Sequence, residues 1–334
     1  MTTLKDVARA AGVSVMTVSN VVNGRPHVGE ATRRRVLAAV DALGYEVNLT
    51  ARRLRAGRSN TVALVVPRAD HPYYGELAAR FTDALRPTGR HLVLEQTGAS
   101  REGELGALSP ARLQQYDGVL LSAVGLEAAD VARLNPDLPL VLLGEKPMPP
   151  TFDHVALGNV AGGRLAVAHL LDRGARRVAV VGGTTGPTDG GLSDQRTQGW
   201  RDAHAAAGLP ADNALVLPVA GLHMAAARAA VRDALARGLD PDAVFAVTDQ
   251  VAVGVLAALH DAGRHVPADV QVVGFDNLAI GAHVPPGLTT VDPSNDVLVA
   301  EALRLLERRT AGDASPAGEH VVTPVRLVVR GSTR

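Results

Sequence analysis

The chain has 334 residues, 46% of them apolar, and no cysteine. That length exceeds one small domain and predicts two or three, while the missing thiols exclude a disulfide framework and a thiolate metal site. Formal net charge is zero, yet residues 1–60 hold ten Lys/Arg against four acids and the rest carries the compensating acidic excess, so only the N-terminal segment suits a polyanion partner.

Thr3 to Asn23, TLKDVARAAGVSVMTVSNVVN, reads as two short helices joined by a tight turn. Thr3 can cap the first, with Asp6 as a short capping-box partner. Leu4, Val7, Ala8 and Ala11 form one apolar face. Gly12 sits where the chain must turn, because a residue without Cβ reaches positive φ cheaply. Ser14 caps the second helix, whose Val18, Val21 and Val22 point back into the first. Val15, Met16, Ser19 and Asn20 are left outside, a face suited to a DNA groove in a basic segment. An ordinary helical hairpin has the same apolar pattern, so the turn alone does not decide. A third helix spans about Glu30 to Leu43 and stops at Gly44. Residues 46–60 form a basic linker in which Asn48 can cap a short helix running to Ala56; so short a helix is marginal in water and suits a segment that folds on DNA.

From Asn60 strands and helices alternate: strands at TVALVVP, HLVLEQ, YDGVLLS, LPLVLLG, HVAL, RRVAVVGG, ALVLP, AVFAVT and VQVVGF, with helices at 75–85, 160–172, 196–207, 225–236 and 251–262. LTTV, a helix over 295–308 and VVTPVRLVV close the chain. Apolar strands alternating with helices predict parallel sheets covered on both faces, and roughly ten strands suggest two sheets. The first 15 residues lack a signal-like apolar run, and no stretch is long enough to span a bilayer, so a soluble cytoplasmic protein with no membrane partner is expected.

Taken together, TLKDVARAAGVSVMTVSNVVNG, LGYEVNLTARRLR, VALVVP, PYYGEL, HLLDRGARRVAVVGG, RTQGWRDA, VTDQVAVGVLAAL, VPADVQVVGFDN and LTTVDPS resemble, in order, the lac repressor (LacI/GalR) family. The resemblance covers essentially the whole chain. It implies an N-terminal all-α helix-turn-helix head over 1–45 and a hinge over 46–60. It also implies an α/β periplasmic-binding-protein-like body of two parallel-sheet subdomains over 61–334, with crossovers near 158–160, 290–293 and 318–322. The expected function is a sequence-specific transcriptional regulator, a repressor. It would act as a homodimer on a pseudo-palindromic operator in double-stranded DNA, under a small-molecule effector of sugar type. The family's tetramerising leucine tail has no counterpart in VVRGSTR. Three positions depart from the pattern: Gly29 for a Ser cap, Gly158 for Asp, and Thr248 for the Asn before Asp249.

By motif position, Val15, Met16 and Asn20 are expected to read bases. Asn can pair bidentately with adenine, and Val or Met can contact a thymine methyl. Thr17, Ser19, Asn23, His27 and Thr32 resemble phosphate contacts, which set register without reading sequence. Leu54 resembles the hinge leucine wedged into the minor groove, with Asn48 and Ala51 completing the hinge match. In the body, Asp70, Tyr73, Tyr74, Arg196, Asp249, Phe275 and Asp276 fall at strand ends, where parallel sheets place ligands. An Arg, acids and aromatic faces suit a polyol, although Asp249 heads a helix and could simply cap it.

No catalytic residues, metal site or cofactor are expected. GGTTG at 182–186 lacks the Gly-Lys-Ser/Thr ending of a phosphate loop, and there is no HExxH or GxSxG. A periplasmic binding protein fits the body but not the basic head, and a nucleotide-dependent enzyme lacks the glycine fingerprint.

Overall fold

The computed structural model describes residues 2–22, 25–26, 28–45, 59–186, 190–312 and 317–334. The expectations placed on Asn23, His27, Asn48, Ala51 and Leu54, and on the short hinge helix, lie outside the described residues. The chain divides into two compact units, Met1–Ser59 and Asn60–Arg334.

The first unit holds α1 (Leu4–Ala11), α2 (Val15–Val22) and α3 (Glu30–Ala42). Thr3 Oγ1 accepts from the Asp6 amide, and the Asp6 carboxylate accepts from the Thr3 amide at 3.0 Å, closing the capping box. Such a cap contributes about 1 kcal/mol. The same contact with Thr3 holds the exposed Asp6 carboxyl below its usual range. Gly12 ends α1 at φ 62°. Ser14 Oγ accepts from the Thr17 amide at 3.1 Å and starts α2. Val7, Ala8, Ala11, Val18, Val21, Val36 and Ala39 form the small core. Gly29 opens α3 with no side-chain cap, so one orphan amide loses the partner a serine would supply.

The second unit carries two six-stranded sheets. The first has the order β11-β5-β4-β3-β1-β2, from β1 (Thr61–Val66), β2 (His91–Gln96), β3 (Gly118–Ser122), β4 (Leu140–Leu143), β5 (Asp153–Ala156) and β11 (His320–Val322). The second runs β12-β10-β9-β8-β6-β7, from β6 (Val178–Val181), β7 (Val216–Leu217), β8 (Ala243–Ala246), β9 (Gln271–Phe275), β10 (Thr289–Asp292) and β12 (Arg326–Val328). All pairs in the first sheet are parallel; in the second, β12 alone runs antiparallel, against β10. β1, β3, β4, β5, β6, β8 and β9 are buried end to end, as strands covered on both faces require.

Helices cover both sheets: α4 (Pro72–Leu85), α5 (Arg101–Ala107), α6 (Pro110–Leu113), α7 (Ala128–Val131), α8 (Asn159–Asp172), α9 (Leu192–Ala206), α10 (Met224–Ala236), α11 (Asp249–Asp261) and α12 (Asn295–Thr310). Two of them, α4 and α9, start well before the apolar pattern predicts. Pro72 takes the first turn of α4, where its missing N–H costs nothing, and α9 begins at Leu192, so Arg196 lies in its second turn rather than at its start. The strand expected at ALVLP shrinks to two residues after a 3-10 turn at Asn213–Leu215.

The chain passes between the subdomains three times, at 157–159, 293–294 and 323–325. The third passage falls later than the expected 318–322, because His320–Val322 first pairs with His154–Ala156 of the first sheet. VVTPVRLVV is thus split between two sheets, with the turn between β11 and β12 carrying the crossing. Gly158, the departure from the family's Asp, lies against this turn: a Cβ there would sit 2.8 Å from the Thr323 carbonyl oxygen. Thr248, the other departure, is the cap of α11, its hydroxyl accepting from the Val251 amide at 3.1 Å.

Candidate functional site

Two regions collect the expected functional residues, one in each unit. In the head, packing of Val18 and Val21 turns the opposite face of α2 outward. Met16 is 68% exposed and Val15 38%, with Ser19 and Asn20 one turn further on and half-buried. Residues four apart share a face, so these four form one contiguous patch. Thr17 is beside it, its hydroxyl 2.9 Å from Ser14 Oγ. The Asn20 carbonyl accepts from the Arg25 amide at 2.9 Å, and Arg33 reaches the Arg25 carbonyl at 3.1 Å, tying the following loop to α3. Thr32, half-buried, lies in the first turn of α3. A polar carboxamide flanked by two exposed apolar side chains can read a base edge and a methyl in the major groove.

In the body, residues that follow strands of both sheets gather around the buried Arg196. Its position comes from helix packing: α8 and α9 approach backbone to backbone, since a Cβ at Gly163 would lie 2.5 Å from the Arg196 carbonyl oxygen and one at Gly199 2.3 Å from that of Val160. Arg196, 2% exposed, donates from Nε to Asn159 Oδ1 at 2.8 Å and from Nη1 to the Val247 carbonyl and to Asp276 Oδ1 at 3.4 Å. The guanidinium lies over the Phe275 ring, 3.5 Å from its centre. A cation over a buried aromatic face gains about 2 kcal/mol.

Asp276 leaves β9 at φ 115°. Burial pushes its carboxyl up to about 7; Arg196 opposes the shift and Glu145 adds to it. Glu145, which follows β4 in the other subdomain, is partly exposed, and burial of its carboxyl raises it too against the pull of Arg196. Gln195 of α9 donates to the Glu145 carbonyl at 2.6 Å, linking the subdomains. Glu76 of α4 makes a second link, accepting from the Ala279 amide at 2.9 Å.

The other expected body residues divide. Tyr73 faces the cluster, with its hydroxyl donating to Asn295 Oδ1 at 3.1 Å, and Tyr74 shares a 3.1 Å bond with Ser122. Burial pushes both phenols up, so they stay neutral. Asp70 does not join: it is exposed and clamped by Arg68 at 2.9 and 2.6 Å. Asp249 and Phe275 are both fully buried behind the cleft. The two Asp249 oxygens accept from the Leu278 amide at 2.8 Å and Thr290 Oγ1 at 2.6 Å, so this residue ties the loop after β9 to strand β10. Phe275 offers its face to Arg196, leaving no free ring for stacking on an effector.

Four residues were missed by the sequence reading: His71, Ser122, Glu145 and Asn159. Three of them follow β1, β4 and β5 and Ser122 ends β3, so the strand-end rule that found Asp276 could have found them too. His71 Nδ1 and Asn159 Nδ2 are buried without a hydrogen-bond partner. Burial holds the His71 imidazole down at about 4, aided by His223 and Arg196. Unpaired buried polar atoms cost free energy unless a ligand or water meets them. Among the described residues no cluster of three or more His or acids could hold a metal, and no helix is long and apolar enough to cross a membrane.

Comparison with known proteins agrees with this geometry. Residues 3–48 match the model of bacterial regulatory proteins of the lacI family, and residues 167–333 match the periplasmic binding protein-like domain. The HTH-type transcriptional regulator CelR of Thermobifida fusca is 35% identical, with 98% of this chain and 95% of that protein covered. The ribose operon repressor of Escherichia coli K12 is 31% identical over 99% of this chain and 100% of its own. Among solved structures, the lac repressor dimer bound to operator and the anti-inducer ONPF superposes with a TM-score of 0.84 at 25% identity, over 99% of each chain. A CelR–cellobiose complex gives 0.70 at 34% identity, over 99% of this chain and 100% of that one. The chain therefore belongs to the lacI family of bacterial regulatory proteins and is a sequence-specific DNA-binding transcriptional regulator.

Proposed function

We propose that this regulator is a repressor that acts in the cytoplasm as a homodimer on a pseudo-palindromic operator and is controlled by a sugar held in the body cleft. In this reading residues 1–45 dock α2 in the major groove, 46–60 form a hinge with Leu54 at the operator centre, and 61–334 bind effector and partner. The supporting observation is the Arg196 cluster: charged and amide groups from both subdomains converge on one cleft, and two buried polar atoms in it lack partners. A ligand that touches both subdomains biases their relative arrangement by its differential affinity for the two states. The names of the ribose operon repressor and the CelR–cellobiose complex support a sugar, and the lac repressor dimer on operator supports the assembly.

The test is selection of binding sites from random duplexes with the full-length protein, followed by release measurements with a sugar panel. A two-fold-symmetric site and release by one sugar are expected. An asymmetric site occupied by a monomer, or a site indifferent to every sugar, counts against the reading. The direction of control is settled by the same measurement, since tighter operator binding with sugar would make the effector a corepressor.

A further inference from the structure

The cleft holds one buried guanidinium and two carboxyls, and this imbalance bears on what it can accept. Arg196 is already committed: Asn159, Val247 and Asp276 take its Nε and Nη1 donors, and Phe275 pins its plane from behind. The buried Asn159 Nδ2 has no partner at hydrogen-bond distance. The Asp276 and Glu145 carboxyls stand on opposite subdomains, both within the field of Arg196, with Glu145 beside Asn159.

We propose, on the footing of the sugar-binding reading above, that Glu145 makes this cleft selective for uncharged polyhydroxylated effectors and excludes their phosphorylated forms. A hydroxyl is both donor and acceptor, so a pair on one ring can give to Glu145 and Asp276 while accepting from Arg196 and Asn159. A phosphate monoester carries about −1.5 to −2 charge near pH 7 and offers only acceptors. Placed here it would meet two carboxyls against one guanidinium, whose Nε and Nη1 are already held by Asn159, Val247 and Asp276. The Gln195 bond to the Glu145 carbonyl fixes the backbone from which that acid projects.

Isothermal titration of the full-length protein provides the test. The ligands are unphosphorylated mono- and disaccharides, including ribose, glucose and cellobiose, set against ribose 5-phosphate, glucose 6-phosphate and cellobiose 6′-phosphate. At least one neutral sugar is expected to bind, with its phosphate at least tenfold weaker. Glu145→Gln, which keeps shape and stays partly exposed, should narrow that gap by tenfold or more; a thermal melt checks that it folds. Unchanged discrimination in Glu145→Gln overturns the role of Glu145. A phosphate that binds more tightly than its parent sugar, and is lost in Arg196→Lys, overturns the selection while leaving the cleft reading intact. Sugar binding indifferent to both substitutions overturns the cleft reading itself, and a panel that does not bind at all overturns the sugar reading with it.

Discussion

The guanidinium of Arg196 lies 3.5 Å from the centre of the Phe275 ring, and both side chains are at most 2% exposed. The aromatic residue is thus the floor on which the cleft cation rests. Gly162 makes the floor possible, since a Cβ there would lie 2.5 Å from Phe275 Cε2. Phe275→Leu removes the face and part of the volume. It should lower unfolding free energy by about 1–3 kcal/mol and weaken the effector response. Urea melts and operator release together check this; a variant normal in both means the stacking carries no weight.

Asp276 sets a pH dependence. Its unfolded carboxyl titrates near 4, but burial pushes it up to about 7 in the folded chain, against the pull of Arg196. Between those values the folded state holds a proton that the unfolded state has released. The associated stabilisation is complete below about pH 4 and is lost as pH rises through about 7. His71, held near 4 by burial, works the other way, since its neutral ring is favoured and stability falls as pH drops below about 6.5. The clean observable is therefore the difference between wild type and Asp276→Asn. The melting temperature of wild type relative to the variant should fall steadily from pH 5 to pH 8. A difference that stays flat means that the carboxyl titrates as an ordinary surface acid.

Gly158 packs against the third passage between the subdomains. A Cβ would meet the Thr323 carbonyl oxygen at 2.8 Å and Val325 Cγ1 at 3.1 Å. The Thr323 hydroxyl also donates to the Pro293 carbonyl at 2.9 Å, so the second and third passages are joined at this point. The backbone oxygen cannot yield without moving both. Gly158→Ala and Gly158→Asp should each destabilise the body by about 1–3 kcal/mol. Equilibrium unfolding decides it, and wild-type stability in the alanine variant would show that the crossing has slack.

On the recognition helix, Asn20 is the one side chain of the α2 patch able to make two hydrogen bonds to a base edge. Asn20→Ala should cost about 1–3 kcal/mol at the selected operator and relax preference at one base pair per half-site. Binding to a library of single-base operator variants reads both effects. Uniform weakening with unchanged base preference would place Asn20 among the phosphate contacts.

Much was legible from local pattern because local physics sets it. The Thr3–Asp6 box, the turn at Gly12 and the apolar stripe of α1 and α2 involve residues within one or two turns of each other. The buried strands announce themselves as continuous Val/Leu/Ala runs, since both faces are covered. What a side chain does at a strand end is different: it depends on partners far along the chain. Asp249 and Asp276 both follow or flank apolar strands and carry the same group. One is sealed by Leu278 and Thr290, and the other bonds to Arg196 eighty positions away. Phe275 reads as a stacking face, yet the α8–α9 packing through Gly163 and Gly199 brings a guanidinium onto it. Glu145 and Asn159 gain their place in the cleft only when two sheets are brought together by three crossings. Sequence by itself determined the elements, the two kinds of domain and the family. Only the tertiary structure decided which strand-end groups face the cleft, because that depends on long-range packing and on which acceptors the interior has already paired.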